Sequence, residues 1–326
     1  MVRIGVIDSL VYSDELACNL KICNPRGLQN KNGHGIDVVR YILFECLDVE
    51  IINYVIIGEY DKGKVEELID GIEFCIVEQV DVINISVGVK NISHANFLKL
   101  QDCCEKAYRQ GITLIAAGSN DGEVSYPAYL ENVVIVSEKD LLFKDKAKNK
   151  WAVYYDSSMV FSKAVGKSIF NNGNSFLCAI TTGAYAAFLS EGILKRDPYG
   201  FADSFLDICR FLYSNELLSK MHTNKEMIED CVYIRFCEQD EMDTEVIKKF
   251  RPKIVCHISD VKDVGLSFVI LGNVYYPIDK KIKEKIKGLL FESEINKIYS
   301  IKPIFNIYER YEFYMKYNIL VKNIYM

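Results

Sequence analysis

The first half of the chain alternates between two hydrophobic patterns. Short runs of consecutive apolar residues, several of them rich in β-branched side chains, predict buried strands. Longer segments between them carry apolar residues at intervals of three and four, the period of an amphipathic helix. The predicted strands are Val2–Asp8, Val49–Ile57, Val82–Ser86, Ile112–Ala117 and Val133–Val136, and the predicted helices are His34–Leu47, Lys64–Gln79 and Phe97–Gln110. This order predicts a doubly wound α/β fold, with a mostly parallel sheet covered by helices on both faces.

The pattern changes near residue 200. The segment Asp197–Gly200 is typical of a turn or a domain boundary because it combines proline and glycine with a turn-forming aspartate. Beyond it we predict strands at Cys231–Cys237 and Lys253–Ile258, a hairpin at Leu266–Pro277, and helices at Ile278–Leu290 and Tyr308–Tyr317. The sequence therefore predicts two domains, an α/β domain over 1–200 and a smaller C-terminal α+β module over 201–326.

Composition narrows the class of protein and its partners. The chain has 326 residues, of which 50% are hydrophobic and 26% charged, so it has enough apolar surface to fold and is not a disordered chain. It carries 39 basic and 45 acidic residues, and this net charge of −6 gives no reason to expect a nucleic-acid partner. No run approaches the ~20 uninterrupted apolar residues that cross a bilayer, so no membrane association is expected.

The cysteines and the first residues bear on the compartment. There are eleven cysteines, none in a C-x-x-C pair, and Met1–Asp8 lacks the longer apolar core of a secretory signal. Scattered thiols without an export signal indicate reduced core residues of a cytoplasmic protein. A structural zinc ion needs closely spaced pairs of ligands, so we expect neither a metal nor another cofactor. The sequence leaves the oligomeric state open.

Four polar residues stand where a parallel sheet presents its functional groups, at the carboxyl ends of strands. Asp8 ends the first predicted strand, and Asn120 follows the strand Ile112–Ala117. His34 begins a predicted helix, and Ser175 precedes an apolar helical run. Each residue taken singly is explained as a helix cap or a turn residue. Their combination and their flanking residues point instead to chemistry.

The segments around these residues resemble the signature blocks of the subtilisin-like serine peptidases. The pairs are Val6–Ser9 with V-I-D-[ST], His34–Val39 with H-G-T-x-V-A, Val82–Gly88 with I-N-[ML]-S-[LF]-G, Leu114–Gly122 with V-V-A-A-A-G-N-E-G, and Gly173–Phe176 with G-T-S-M. The chain order Asp, His, Ser is also that of the subtilisins. The resemblance covers roughly residues 3–190, so it assigns a subtilisin-like peptidase domain to 1–200 and leaves the module at 201–326 without a role.

The resemblance implies a role for each of the four residues. Ser175 is the nucleophile, and His34 is the base that takes its proton and later protonates the leaving amine. Asp8 holds the correct imidazole tautomer and stabilises the imidazolium. Asn120 and the backbone N–H of Ser175 donate to the oxyanion of the tetrahedral intermediate. The other histidines lack such neighbours and are assigned to structural or surface positions; they are His94, His222 and His257.

The same resemblance implies a set of substrate-binding residues. They follow the third and the fourth block of the family pattern, and they are Ser86, Val87, Gly88, Ala117, Gly118 and Ser119. Ser119 stands where the family has glycine, in the segment that lines the specificity pocket. The added side chain is expected to narrow this pocket, which favours a selective enzyme.

Three further positions depart from the family pattern around the serine. Asn174 replaces threonine, and Ala179 replaces proline, which adds a backbone N–H and removes ring bulk. Cys178, one helical turn past Ser175, is interpreted as a packed small residue, with a reactive thiol as the second interpretation. None of these departures removes a residue of the triad.

The sequence predicts a selective cytoplasmic serine endopeptidase that acts on a peptide or protein substrate. One candidate task is to cleave the leader from a ribosomally made precursor peptide. A second interpretation is a transpeptidase or macrocyclase that uses the same acyl-enzyme, since Ala179 leaves room for a larger nucleophile. A third is a pseudopeptidase whose cleft only binds peptide.

Overall fold

The computed structural model describes residues 1–11, 16, 18–29, 33–58, 63–138, 152–155, 159–162, 169–194, 231–236, 241–261, 268–272, 280–292, 295, 297–300 and 304–323. The chain forms two compact units, Met1–Arg210 and Phe211–Met326. Within the described ranges, none of the helices is both long and apolar enough to span a bilayer. The same ranges contain no group of three or more His, Cys, Asp or Glu side chains arranged to hold a metal ion.

The first unit contains nine described strands and four described helices. The strands are β1 Val2–Ser9, β2 Asn19–Cys23, β3 Val49–Ile57, β4 Val82–Ile85, β5 Thr113–Ala117, β6 Val133–Glu138, β7 Ala152–Tyr155, β8 Met159–Ser162 and β9 Ile169–Asn172. The helices are α1 His34–Glu45, α2 Val65–Val77, α3 His94–Arg109 and α4 Asn174–Ser190. Strands and helices alternate along most of this unit, as the hydrophobic pattern predicts.

Seven strands form one parallel sheet in the order β2-β3-β1-β4-β5-β6-β7, and β8 and β9 pair as an antiparallel ribbon. Strand β4 shows how helices cover both faces of the sheet. Ile83 and Ile85 belong to the core that includes α2 and α3 side chains. Asn84, between them in sequence, instead accepts hydrogen bonds from Cys178 and Thr182 of α4. Because successive side chains on a strand point to opposite faces, α2 and α4 lie on opposite sides, which confirms the doubly wound fold.

The second unit contains a five-stranded sheet that is parallel throughout, in the order β11-β10-β12-β13-β14. Its elements in chain order are β10 Cys231–Arg235, α5 Glu241–Phe250, β11 Ile254–His257, β12 Phe268–Leu271, α6 Lys280–Glu292, β13 Lys297–Ser300, α7 Ile307–Tyr317 and β14 Leu320–Asn323. Parallel strands that alternate with helices are an α/β arrangement, whereas the sequence analysis expected an α+β module.

Strand β12 accounts for this difference. The sequence pattern predicts a hairpin at Leu266–Pro277 with a turn at Gly272, but β12 pairs in parallel with both β10 and β13. Val269, Ile270 and Leu271 are fully buried, as in a central strand. Gly272 lies close to the neighbouring strand, where a β-carbon would be 2.9 Å from the Ile234 carbonyl oxygen. Residues 273–279 of the expected hairpin lie outside the described residues.

Candidate active site

The site begins with a contact between Asp8 and His34. Asp8 stands next to the end of β1 and is completely buried, and its Oδ1 lies 2.8 Å from Nδ1 of His34. The backbone N–H of Ser9 donates to the same oxygen at 2.6 Å. A carboxylate can only accept, so the proton of the neutral imidazole lies on Nδ1 and Nε2 keeps its lone pair. The His34 side chain is 28% exposed, so the ring connects the buried carboxylate to the surface.

The start of α1 holds His34 in place. Gly33 precedes the helix with φ at 71°, a left-handed conformation that favours glycine. The Ser9 hydroxyl accepts a hydrogen bond from the Gly35 backbone N–H at 2.9 Å, which satisfies one of the free N–H groups at the helix start. Gly35 permits this close approach, because a β-carbon there would lie 2.5 Å from the Ser9 carbonyl oxygen. The carboxyl end of β1 therefore fixes the beginning of α1.

Ser175 is the second residue of α4, the helix whose start contacts the His34 ring. The ring of the next residue, Phe176, lies 5.2 Å from the His34 ring between centroids, tilted by 45°. The Ser175 hydroxyl donates to the carbonyl oxygen of Ser86 at 3.0 Å. The structure thus gathers the end of β1 and the beginnings of α1 and α4 in one place, although the predicted residues are separated by up to 167 positions in sequence (175 − 8).

Asn120 lies at the same end of α4. Its Oδ1 accepts a hydrogen bond of 2.7 Å from the backbone N–H of Asn174, and its side chain is exposed. A β-carbon on Gly173 would lie 3.6 Å from Asn120 Nδ2, so the amide rests against the residue that precedes the helix. Because Oδ1 is engaged, the NH₂ group of Asn120 is the part that can donate to a ligand.

The two predicted substrate-binding segments follow adjacent strands. Ser86 and Gly88 come after β4, and Ala117 ends β5. Beyond the segments, the chain that follows each strand is joined by backbone, since Val89 and Tyr126 exchange two N–H···O hydrogen bonds of 2.9 Å. The other predicted members of the set are Val87, which packs against the core, Gly118, whose N–H donates to the Val136 carbonyl at 2.8 Å, and Ser119, whose hydroxyl donates to Asp121.

A small group of charges lies beside these segments. The Lys90 ammonium contacts the carboxylates of Asp121 and Glu123. The hydrogen bond from Lys90, with further donation from the Ser119 hydroxyl, holds the pKa of Asp121 well below its usual value. The bond to Asp121 in turn raises the pKa of Lys90. All three charges are exposed, so their ion pairs contribute little to stability.

The remaining predictions around the serine have simple outcomes. The Cys178 thiol is fully buried and contacts Asn84 Oδ1 at 3.3 Å and the Ile115 carbonyl at 3.4 Å. Burial raises its pKa, so it is a packed, unreactive thiol. Ala179 is also fully buried.

The three other histidines are predicted to be structural or surface residues. His94 is exposed at the start of α3, His257 contacts the Ser259 hydroxyl, and His222 lies outside the described residues.

Two features of the site are not predicted from the sequence. Ser86 is predicted only as a substrate-binding residue, and the role of its backbone carbonyl, which accepts from Ser175, leaves no sequence signal. Asn174 was treated only as a departure from threonine, yet it is completely buried and bonds to several segments. An amide in place of a hydroxyl just before an apolar helix was the available signal.

A seven-stranded parallel sheet with these helix starts at its carboxyl edge defines the class, a subtilisin-like α/β fold. The chain belongs to the Subtilase family, Peptidase S8, whose sequence model matches residues 11–204. The match begins after Asp8, so the family model does not include this residue. The assignment of Asp8 to the site is supported instead by its contact with His34.

One relative and two solved structures illustrate the likeness. The minor extracellular protease Epr of Bacillus subtilis (strain 168) is 34% identical over 109 residues, which are 32% of this chain and 15% of Epr. The prenylagaramide maturation protease PagA is 21% identical, with a TM-score of 0.50 over 65% of this chain and 82% of PagA. The nisin leader peptidase NisP of Lactococcus lactis is 19% identical, with a TM-score of 0.50 over 65% of this chain and 81% of NisP. The two structures are similar in fold.

Proposed function

We propose that this protein is a serine peptidase in which Ser175, His34 and Asp8 form the catalytic triad. The observation that carries the proposal is the 2.8 Å contact between the buried Asp8 carboxylate and His34 Nδ1, beside the helix start that bears Ser175. The contact leaves Nε2 as the only basic nitrogen of the ring. Membership of the subtilase family supports the same assignment.

Each residue then has a defined step. The Ser175 hydroxyl first turns from the Ser86 carbonyl toward His34. As Ser175 Oγ forms its bond to the carbonyl carbon of the substrate, its proton passes to His34 Nε2. The carbonyl oxygen becomes an oxyanion, which accepts from the Asn120 NH₂ group and the Ser175 backbone N–H. His34 gives its proton to the leaving amine as the C–N bond breaks, and an acyl-enzyme remains. Water then attacks with the help of His34, which restores Ser175 and releases the acid.

Burial explains the contribution of Asp8. During the reaction His34 becomes an imidazolium, and the completely buried carboxylate lies against its Nδ1. A charge pair shielded from water interacts more strongly than an exposed pair, so Asp8 lowers the free energy of the charged intermediate. It also keeps the ring in the tautomer that can accept the serine proton.

We further propose that the enzyme is a selective endopeptidase that matures a ribosomally made precursor peptide. Ser119 adds a side chain to the segment of the proposed specificity pocket, and the charges of Lys90, Asp121 and Glu123 lie beside it. PagA is a maturation protease and NisP a leader peptidase, which supports this substrate class. The nine described cysteines are all free, which supports a reducing compartment such as the cytoplasm.

A fluorophosphonate probe tests the proposal, because it phosphonylates only an activated serine. Wild-type protein should be labelled at one site, and Ser175→Ala should not be labelled while keeping the wild-type urea midpoint. Folded wild-type protein without serine-dependent labelling would refute the peptidase and favour a peptide-binding pseudopeptidase.

Substrate choice needs a second experiment. The purified protein is incubated with casein and with candidate precursor peptides, and the products are weighed by mass spectrometry. A selective endopeptidase should leave casein intact. It should cleave one precursor into products whose summed mass exceeds that of the precursor by one water molecule. A product without added water would identify the transpeptidase or macrocyclase instead.

A further inference from the structure

Asn174 is the first residue of α4 and has no exposed surface. Its Nδ2 lies 3.0 Å from the carbonyl oxygen of Gly118, 3.2 Å from that of Ser119 and 3.1 Å from the hydroxyl of Ser137. Its Oδ1 accepts from the backbone N–H of Glu138 at 3.0 Å. One buried amide therefore joins α4 to the segments that follow β5 and end β6.

The backbone of Asn174 makes one more contact. Its N–H donates to Asn120 Oδ1 at 2.7 Å, and this bond fixes the amide oxygen and leaves the NH₂ group of Asn120 as the donor for a ligand. Asn120 is also held through its chain neighbours, since Gly118 and Ser119 accept from the Asn174 side chain. Asn120 is thus attached to Asn174 from two directions.

The positions of both donors of the proposed oxyanion hole therefore depend on Asn174. The first donor, Asn120, is bound by Asn174 as described. The second donor is the N–H of Ser175, the residue that follows Asn174 directly in the chain. A shift of Asn174 changes the separation of the two donors, and electrostatic stabilisation depends on donors fixed at hydrogen-bonding distance from the developing charge.

The chemistry of the side chain suits an amide and no other group of this size. An asparagine offers two N–H donors and a separate oxygen acceptor. Threonine, which the family pattern has here, has a single O–H donor on a shorter side chain, so it donates to fewer of the three acceptors that Asn174 Nδ2 contacts. Aspartate has the same shape but no donor, and it would place an oxygen opposite the two carbonyl oxygens.

We infer that Asn174 is a positioning residue that fixes the two oxyanion donors relative to each other. The inference rests on the proposed function, because it assigns a role in the same reaction. It adds a residue that acts through Asn120 and Ser175 without touching the substrate.

The test compares fluorophosphonate labelling of variants under saturating conditions. The maximal labelling rate reports stabilisation of the transition state, and the probe concentration at half-maximal rate reports ground-state binding. For Asn174→Asp we expect a maximal rate 10- to 100-fold below wild type, with the half-maximal concentration within about twofold. The maximal rate of Asn174→Thr should lie between those of wild type and Asn174→Asp. Ser137→Ala removes one of the three acceptors of Asn174 Nδ2, and its maximal rate should be about two- to fivefold below wild type.

Thr182→Val supplies a matched control on the same helix. Thr182 is completely buried and its hydroxyl donates to Asn84 Oδ1 and to the Cys178 carbonyl at 2.9 Å each, away from Asn120. This variant should lower the urea midpoint, as Asn174→Asp does, while its maximal labelling rate stays within twofold of wild type. A purely structural role for Asn174 would make the two variants equal in rate.

The outcomes separate the inference from the function on which it rests. If wild-type protein is not labelled, the proposed function fails and the inference fails with it. If wild type is labelled and both Asn174 variants label at its rate, the inference alone is overturned. Should Asn174→Asp not fold, Asn174→Thr and Ser137→Ala decide: a reduced maximal rate supports the inference, and an unchanged rate in both overturns it.

Discussion

Gly183 of α4 packs directly against Ile42 of α1. A β-carbon on Gly183 would lie 2.6 Å from the Ile42 carbonyl oxygen and 2.8 Å from Cβ of Glu45. Because α1 begins at His34 and α4 carries Ser175, this contact sets how closely the proposed base and nucleophile approach. The separation of the two helices is thus determined two turns away from the chemistry.

Gly183→Ala is expected to push the helices apart. The added methyl group has to displace backbone atoms, and overpacking of this kind destabilises a core by about 1–3 kcal/mol. The serine labelling rate should fall together with the urea midpoint. Gly192→Ala is the control, since a β-carbon there meets no atom within 4 Å and its φ of +70° adds only local strain. Wild-type labelling by Gly183→Ala would show that the contact does not govern the site.

Asp8→Asn tests the tautomer argument. The amide keeps the shape of the carboxylate, but it loses the charge and can donate to His34 Nδ1, which would place the ring proton on Nε2. We expect turnover to fall about 10⁴-fold, the size seen for this change in a serine protease triad. Steady-state kinetics at neutral pH measures it, with urea denaturation to show that the fold persists. Turnover above a tenth of wild type would contradict the role of Asp8.

Asn120→Ala tests the side-chain oxyanion donor. The variant should lower kcat about 10²- to 10³-fold, a magnitude taken from the loss of one such donor in a subtilisin. KM should change little, because the bond forms with the oxyanion and not with the ground-state carbonyl. Because the variant also removes the hydrogen bond that Asn120 Oδ1 accepts from the Asn174 N–H, the free energy of unfolding should fall by about 0.5–1.5 kcal/mol. A change in KM with constant kcat would assign Asn120 to substrate binding instead.

The buried thiols predict a loss of stability at alkaline pH. Burial raises the pKa of Cys104 and Cys178 far above the ordinary value of 9.0. Below pH 9 both states keep the proton, and above it the unfolded chain ionises while the folded protein does not. The contribution of each thiol is therefore complete well below pH 9 and is lost as pH rises, by about 1.4 kcal/mol at pH 10. Urea denaturation at pH 8 and 10 under reducing conditions measures this fall.

Cys104→Ala isolates one of these thiols. The variant is less stable than wild type at both pH values because it loses packing, but its stability should decline less between pH 8 and 10. Only the difference between the two slopes bears on the thiol, since tyrosines and lysines titrate equally in both proteins. Equal slopes would show that Cys104 does not contribute.

Local sequence patterns predict the elements well where burial is uniform. The strand expected at Val49–Ile57 is β3 itself, because an internal parallel strand is buried on both faces and shows as a continuous apolar run. Helix α3 begins at His94, three residues before the predicted start at Phe97. The apolar pattern begins only at Phe97, whereas the Ser93 hydroxyl caps the helix by accepting from the Asn96 N–H.

The candidate site also has a part that the sequence predicts and a part that it does not. Motif order alone indicates that Asp8, His34, Asn120 and Ser175 converge, since each stands at the carboxyl end of a strand or the start of a helix. The contacts of Asn174 were not predictable, because its partners are mainly backbone groups of residues 36 to 56 positions away. Backbone acceptors carry no residue-specific signal, so only the folded chain reveals them.

The backbone bridge between Val89 and Tyr126 bears on the proposed selectivity. It joins the chain that follows β4 to the chain that follows β5, on the two sides of the proposed cleft. Spreading the cleft to admit an oversized substrate side chain would break both hydrogen bonds, each worth about 0.5–1.5 kcal/mol. A cleft of fixed width discriminates among substrates by steric exclusion of side chains that are too large to enter. We therefore expect the main chain to set an upper limit on the size of the accepted residue, within which side chains such as Ser119 set the finer preference.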